Sequence, residues 1–278
     1  MAVLDTPPPR RTGGGFATVL RTVGEVLITA GLVVLLFVVY ELYVTDLFSA
    51  RKQAGATEAL DQDWAQGRTL HGDLIDGAAF AKMYIPGFGA DYHFTIQEGT
   101  DAKALEVGPG HYKGTALPGE PGNFAVAGHR VGKGAPFNDL DLLASCDAIV
   151  IETQSDFFVY RVLPHDDEIA NWNAAKAARP QCANVGTLRT DAAGGGPYGQ
   201  TSGREIVTPD QGDVVAPVPH RPADVLPAAQ QVSLLTLTTC HPRFSDKQRL
   251  IVHAVLTNQF PKTPGATYEQ LLQAIGGA

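Results

Sequence analysis

Cysteine is scarce in this chain. Among 278 residues there are three, Cys146, Cys182 and Cys240, and no two stand in a CxxC pair. That spacing gives no support to a zinc ribbon or a thioredoxin-type redox site. Excess positive charge is also missing. Lys and Arg number 21 against 29 Asp and Glu, a formal net charge of -8. A nucleic-acid footprint is normally basic, so DNA and RNA are not expected partners. Internal repeats are absent, and no clustered set of acidic ligands suggests calcium. No metal and no cofactor are expected.

What is present begins with a long apolar run. Residues 23–44 read VGEVLITAGLVVLLFVVYELYV, 22 residues that would extend roughly 33 Å as a helix, enough to cross a bilayer. Glu25 and Glu41 lie near its ends, and Arg10, Arg11 and Arg21 precede it. The positive-inside rule then keeps residues 1–22 as a cytoplasmic tail and sends the rest of the chain outside. The rival, a cleaved signal peptide, has a shorter apolar core, and no clear Ala-x-Ala site follows directly. Residues 45–78 read as an extracellular stalk or linker, with Leu60 and Trp64 four apart on a short amphipathic helix.

From Met83 the texture changes. Eight short β-prone runs recur between Gly/Pro turns: MYIP, HFTIQEG, NFAVAGH, AIVIET, FFVYRVL, EIVTP, VSLLTLTTC and RLIVHAVL. With so little helix between them they predict a mainly β barrel or sandwich. A short helix is expected at residues 136–144, with Pro136 at its start, and another at YEQLLQAI near the C-terminus. The catalytic domain is placed at 79–262, with a C-terminal tail at 263–278. Residues 171–203 interrupt the pattern with Gly194, Gly195, Gly196 and Cys182. A loop of that length in a compact domain is usually functional or disordered. Cys146 and Cys182 either bridge, pinning this loop in an oxidising exterior, or remain two thiols.

TLTTCHPRFSDKQRLIVHA, from Thr236, carries the chemistry. Cys240 closes an apolar strand, and strand ends open onto loops that present catalytic groups. Antiparallel pairing with the next strand returns Arg249 beside it, where a guanidinium favours a thiolate and can hold an oxyanion. On the cysteine alone, a buried packing thiol, the usual role of a free cysteine, is the favoured reading. A thiol nucleophile also needs a base. His241 adjoins Cys240 but points to the opposite face of the strand. His129 ends another apolar strand in a Gly-rich turn, although spacing alone does not bring it to Cys240.

These motifs together resemble the sortases, the cysteine transpeptidases of the Gram-positive cell surface. TLTTC matches the family's T-L-x-T-C signature, Arg249 stands where the family arginine stands, and His129 in AGHR matches the family histidine. GPGHYKGTALPGEPGNFAVAGHR (residues 108–130) with TCHPRFSDKQRLIVHA looks most like the class E sortases of actinobacteria. The resemblance covers roughly residues 83–256. It implies an eight-stranded β-barrel with short helices behind an N-terminal transmembrane helix. It assigns Cys240, His129 and Arg249 to catalysis, and places Tyr112, Thr238 and Thr239 near the substrate. It implies LPxTG- or LAxTG-type sorting signals on secreted proteins, a cell-wall precursor amine as acceptor, and residence at the cell membrane. The 171–203 loop is longer than the usual connection between the sixth and seventh strands. Two alternatives are a pilin-polymerising sortase, disfavoured because residues 50–82 lack an Asp-Pro lid motif, and a membrane-tethered β-domain that binds wall components without catalysis. An L,D-transpeptidase-like enzyme would carry S-x-G-C before the nucleophile, which TLTTC lacks.

Overall fold

The computed structural model describes residues 14–40, 45–67, 74–189, 195–222, 225–263 and 265–275. The end of the expected membrane span (41–44), the first 13 residues of the tail, His71 and Gly194 lie outside the described residues. The chain divides into two units, residues 1–45 and 46–278. The first is helix α1, Gly14–Val39, whose side chains are almost all exposed. Its 25 residues from Gly15 to Val39 are long and apolar enough to cross a membrane. The helix begins nine residues ahead of the apolar run seen in sequence, and Arg21 and Glu25 pair at 2.8 Å one turn apart on it.

The second unit is built on nine strands: β1 (Ala79–Tyr84), β2 (His93–Glu98), β3 (Gly110–His111), β4 (Gly122–Ala127), β5 (Ala148–Glu152), β6 (Asp156–Val162), β7 (Arg204–Val207), β8 (Ser233–His241) and β9 (Gln248–Pro261). Their order is β6-β5-β1-β2-β3-β4-β8-β9, and β6 pairs with β9 to close an eight-stranded barrel. Closure leaves no free sheet edge around the ring. The ninth strand, β7, pairs with Arg249–Val252 of β9, just ahead of the part of β9 that β6 takes. All eight runs read from the sequence are strands. The addition is β3, two residues long and too short to show a two-residue period.

The core follows from alternation. Phe124 and Val126 of β4, Leu235 and Leu237 of β8, and Leu250 and Val252 of β9 fill one cluster with Met83, Ile96 and Tyr160. Each such side chain contributes about 1.5–3 kcal/mol by leaving water. The intervening residues of these strands therefore take the outer face.

Helix α2 (Thr45–Ala65) covers β1 and β2 from Asp46 onward. The Gln53 amide donates to the Thr95 carbonyl (3.0 Å) and accepts from the Thr95 amide (2.8 Å), imitating a strand partner. Leu60 is buried, and Lys82 pairs with Asp61 at 2.6 Å. The C-terminal helix Tyr268–Ala274 starts in a Thr267/Gln270 capping box and stacks Tyr268 on Tyr84. The helix expected at residues 136–144 shrinks to one 3-10 turn, Leu140–Leu142.

The insertion after β6 is folded wherever it is described. Cys146 and Cys182 form a disulfide with Cα atoms 5.2 Å apart. Trp172, in the short helix Trp172–Ala177, packs on the bridge and donates its indole N–H to the Val185 carbonyl (2.9 Å). The Tyr198 hydroxyl accepts from the Val232 amide at the start of the last hairpin (2.8 Å).

Candidate active site

β8 and β9 run antiparallel with Cys240 directly opposite Arg249. Cross-strand partners share a face. Interior Leu237 and Leu250 fix that face as the outer one. Arg249 does not aim its whole guanidinium at sulfur. Nη1 donates to the Asp246 carbonyl (2.8 Å) and the Gln248 carbonyl (3.0 Å) at the hairpin. Those bonds anchor one tip of the side chain's fork and leave Nε and Nη2 for a ligand.

The histidine arrives by a parallel pairing. β4 lies beside β8 with Ala127 opposite Thr238. The ladder continues beyond β4, since the Gly128 amide donates to the Thr238 carbonyl (3.0 Å). Two further residues along each strand bring His129 level with Cys240. The Thr239 hydroxyl locks this junction by donating to the Gly128 carbonyl (2.8 Å). The Phe137 amide then donates to the His129 carbonyl (3.0 Å), turning the chain back. Thus His129 and Cys240, 111 residues apart, line one cleft of about 280 Å³ with Arg130, Val131, Phe244, Ser245 and Asp246.

His129 Nε2 is buried and has no hydrogen-bond partner among the described residues. Burial pushes the imidazole below its ordinary pKa, and Lys133 pushes it further, against a smaller upward pull from Glu106. Glu106 itself is shared: Lys52 of α2 lies 2.8 Å from one oxygen and Lys133 3.9 Å from the other. Cys240 is the free cysteine and is half-buried.

The three residues placed near substrate by resemblance are joined differently. The hydroxyls of Tyr112 and Thr238 lie 2.9 Å apart. Thr238 and Thr239 are both buried, and the Thr239 hydroxyl is occupied by Gly128. Tyr112, only partly buried, is the member of the three that borders solvent.

Arg130 was not singled out in the sequence, although it stands in AGHR. It is 4% exposed beside the cleft. Nη1 lies 2.8 Å from His241 Nδ1, and Nη2 pairs with Asp141 at 3.1 Å. His241 points away from Cys240, as strand alternation required, and is held by this arginine. A buried arginine needs such partners, so the pair braces the strand end that presents Cys240.

A thiol and an imidazole line one cleft, and a guanidinium stands on the thiol's register partner; these are groups suited to nucleophilic acyl transfer. The comparisons agree with that chemistry. The Sortase domain family model matches residues 83–257. Sortase SrtE1 of Streptomyces coelicolor is 31% identical over 265 residues, covering 92% of this chain and 62% of that protein. The chain therefore spans about three fifths of that relative's length. Sortase SrtE2 of the same organism is 35% identical over 176 residues, 59% of this chain and 69% of that protein. Among solved structures, the SrtF sortase from Corynebacterium diphtheriae superposes with TM-score 0.58 at 45% identity, over 72% of this chain and 94% of that one. The SrtA sortase from Actinomyces oris gives TM-score 0.51 at 27% identity, over 71% and 89%. A family match across more than half of the residues, a closed barrel shared with solved members, and curated relatives of class E lead to one conclusion: this chain belongs to the sortase family.

Proposed function

We propose that the protein is a membrane-anchored cysteine transpeptidase that cuts an LPxTG- or LAxTG-type sorting signal between Thr and Gly. It then passes the new carboxyl end to a cell-wall amine. The observation that carries this reading is the meeting of Cys240, Arg249 and His129, from three strands, at one rim. In the first half-reaction the Cys240 thiolate attacks the Thr carbonyl carbon. Arg249 holds the oxyanion of the tetrahedral adduct. The C–N bond breaks, and His129, as imidazolium, protonates the departing glycine amine, leaving a thioester and a neutral imidazole. In the second half-reaction an amine attacks the thioester. His129 takes its proton, and Cys240 leaves as thiolate. Protons and charges balance over the cycle with no cofactor.

Tyr112, Thr238 and Thr239 form the substrate-facing set: Tyr112 supplies a contact at the solvent edge with its hydroxyl 2.9 Å from that of Thr238, and Thr239 holds the Gly128 carbonyl next to His129. The apolar helix α1 and the arginines ahead of it support a single-pass anchor. Its N-terminus lies in the cytoplasm and residues from 45 onward lie outside, followed by a catalytic domain at 79–262. The disulfide fits an oxidising exterior. Clients are secreted proteins with a C-terminal sorting signal.

The test incubates the detergent-solubilised full chain and its Cys240→Ala twin with LAETG and LPETG peptides, with and without a glycine-type amine. Intact mass is read throughout. A thioacyl adduct on the unsubstituted protein only, discharged by amine, is the expected result. An unreactive Cys240 with neither peptide cleaved overturns the assignment.

A further inference from the structure

On the outer face of the barrel, away from the cleft lining, three residues distant in sequence converge. Glu205 comes from β7, His220 from the loop after it, and His253 from β9. Their ligand-type atoms all lie within 4.8 Å of one another. His253 Nε2 and His220 Nε2 each lie 2.8 Å from the same Glu205 oxygen, Oε1. The His253 side chain is fully buried; those of His220 and Glu205 are 11% and 19% exposed.

The hydrogens around His253 can be assigned from its neighbours. The Asn123 amide nitrogen donates to the Ala216 carbonyl (3.1 Å), which fixes Asn123 Oδ1 as the end facing Thr236. The Thr236 hydroxyl donates its one hydrogen to that oxygen (2.7 Å). Toward His253 Nδ1, 2.8 Å away, the same hydroxyl must therefore accept. Nδ1 carries the ring hydrogen, and Nε2 of the neutral ring presents a lone pair. That lone pair is aimed at a carboxylate oxygen, which also only accepts. Two acceptors at that distance need a positive species between them, either a proton that makes the ring imidazolium or a metal ion. A second imidazole nitrogen converges on the same point.

We propose that Glu205, His220 and His253 form a binding site for a divalent ion of the zinc class. The donor set is two imidazole nitrogens and one carboxylate, which suits a borderline ion and not the oxygen-seeking Ca²⁺ or Mg²⁺. The Thr236–Asn123 relay behind His253 is the outer-shell hydrogen bonding that orients a ligating histidine. The partial exposure of His220 and Glu205 gives an entry path and room for water as a fourth ligand. The ion would clamp β7 and the 208–222 loop onto β9, where Val207 is the partner of Arg249. This site stands independently of the transpeptidase reading, because its test reads metal and not product.

The experiment uses untagged full chain in detergent, carrying Cys240→Ala in every arm so that the free thiol cannot take metal. After chelation, the protein is titrated with Zn²⁺ or Ca²⁺ and followed by elemental analysis and thermal unfolding. One zinc per chain is expected, with Tm raised by roughly 5–10 °C at a hundredfold excess over Kd. Ca²⁺ should leave Tm unmoved, and Co²⁺ should give the visible absorption of a four-coordinate site. Glu205→Gln and His220→Ala should each lose the zinc-dependent shift. His220 lies on a loop, and circular dichroism before metal addition verifies that both variants fold. Absence of stoichiometric zinc in the parent overturns the proposal. So does an undiminished shift in either folded variant.

Discussion

Cys240 and Arg249 are register partners across the β8–β9 pair, and the arginine is tied down at the hairpin by two backbone carbonyls. The hairpin thus fixes the distance between nucleophile and cation before any substrate arrives. Arg249→Ala and Cys240→Ala should each abolish transpeptidation while leaving the fold intact. Arg249→Lys should recover little, because an ammonium lacks the planar fork that holds two carbonyls on one nitrogen while presenting separate donors to an oxyanion. Single-turnover acylation with circular dichroism of each variant checks this. A Cys240→Ala protein of normal activity would refute the mechanism.

The downward pull of Lys133 on His129 gives a pH prediction with a definite sign. A cation nearby disfavours imidazolium, so Lys133→Ala should raise the His129 pKa. Glu106→Gln removes an upward pull and should lower it. Because the mechanism uses imidazolium to protonate the leaving amine, the alkaline fall in acylation rate should move to higher pH in the first variant and to lower pH in the second. Ring-proton NMR titration of His129 and the pH–rate profile should agree, and both shifts should shrink in high salt.

Gly128 sits where a side chain has no room. A Cβ there would come within 2.6 Å of the Phe137 ring, which is fully buried. Gly128→Ala must push either the ring or the chain that carries His129. Acylation should fall by at least tenfold, while alkylation of Cys240 by iodoacetamide persists. Equal loss of both would mean that the whole rim had collapsed.

The Cys146–Cys182 bridge closes a segment with sequence separation 36. Replacing both cysteines by Ala should cost about 2–4 kcal/mol of stability. Chemical denaturation with and without reductant measures it, and the double variant should be insensitive to the reductant.

Thr239 buries a hydroxyl that serves only the Gly128 carbonyl. Thr239→Val keeps the shape and strands that acceptor, so it should cost about 1–3 kcal/mol. Tyr112→Phe frees the Thr238 hydroxyl and removes the proposed solvent-edge contact. It should raise peptide KM more than it lowers stability. Melting curves and steady-state kinetics on the same preparations separate the two effects.

Much of this was legible in the chain. Alternating runs bounded by Gly and Pro located the strands, and the nine-residue interval from Cys240 to Arg249 fitted a hairpin. What stayed hidden depends on register between distant segments. The parallel pairing of Ala127 with Thr238 is what brings His129 to Cys240, and nothing local announces it. Nothing near Arg130 in the sequence marks the partners it takes, Asp141 and His241. His253 likewise sits in the last strand with no local signal. Only the β7–β9 pairing brings Glu205 opposite Ile251, on the face His253 shares. The segment ahead of the barrel offered Leu60 and Trp64 as an apolar pair. Its docking by Gln53 rests on the backbone N–H and C=O of Thr95 in β2, which no composition reveals.

With two of its three cysteines joined, the protein offers thiol-directed electrophiles a single address, Cys240. A fluorescent maleimide applied to the native chain therefore counts molecules one for one, and protection from labelling reads cleft occupancy without any need for turnover.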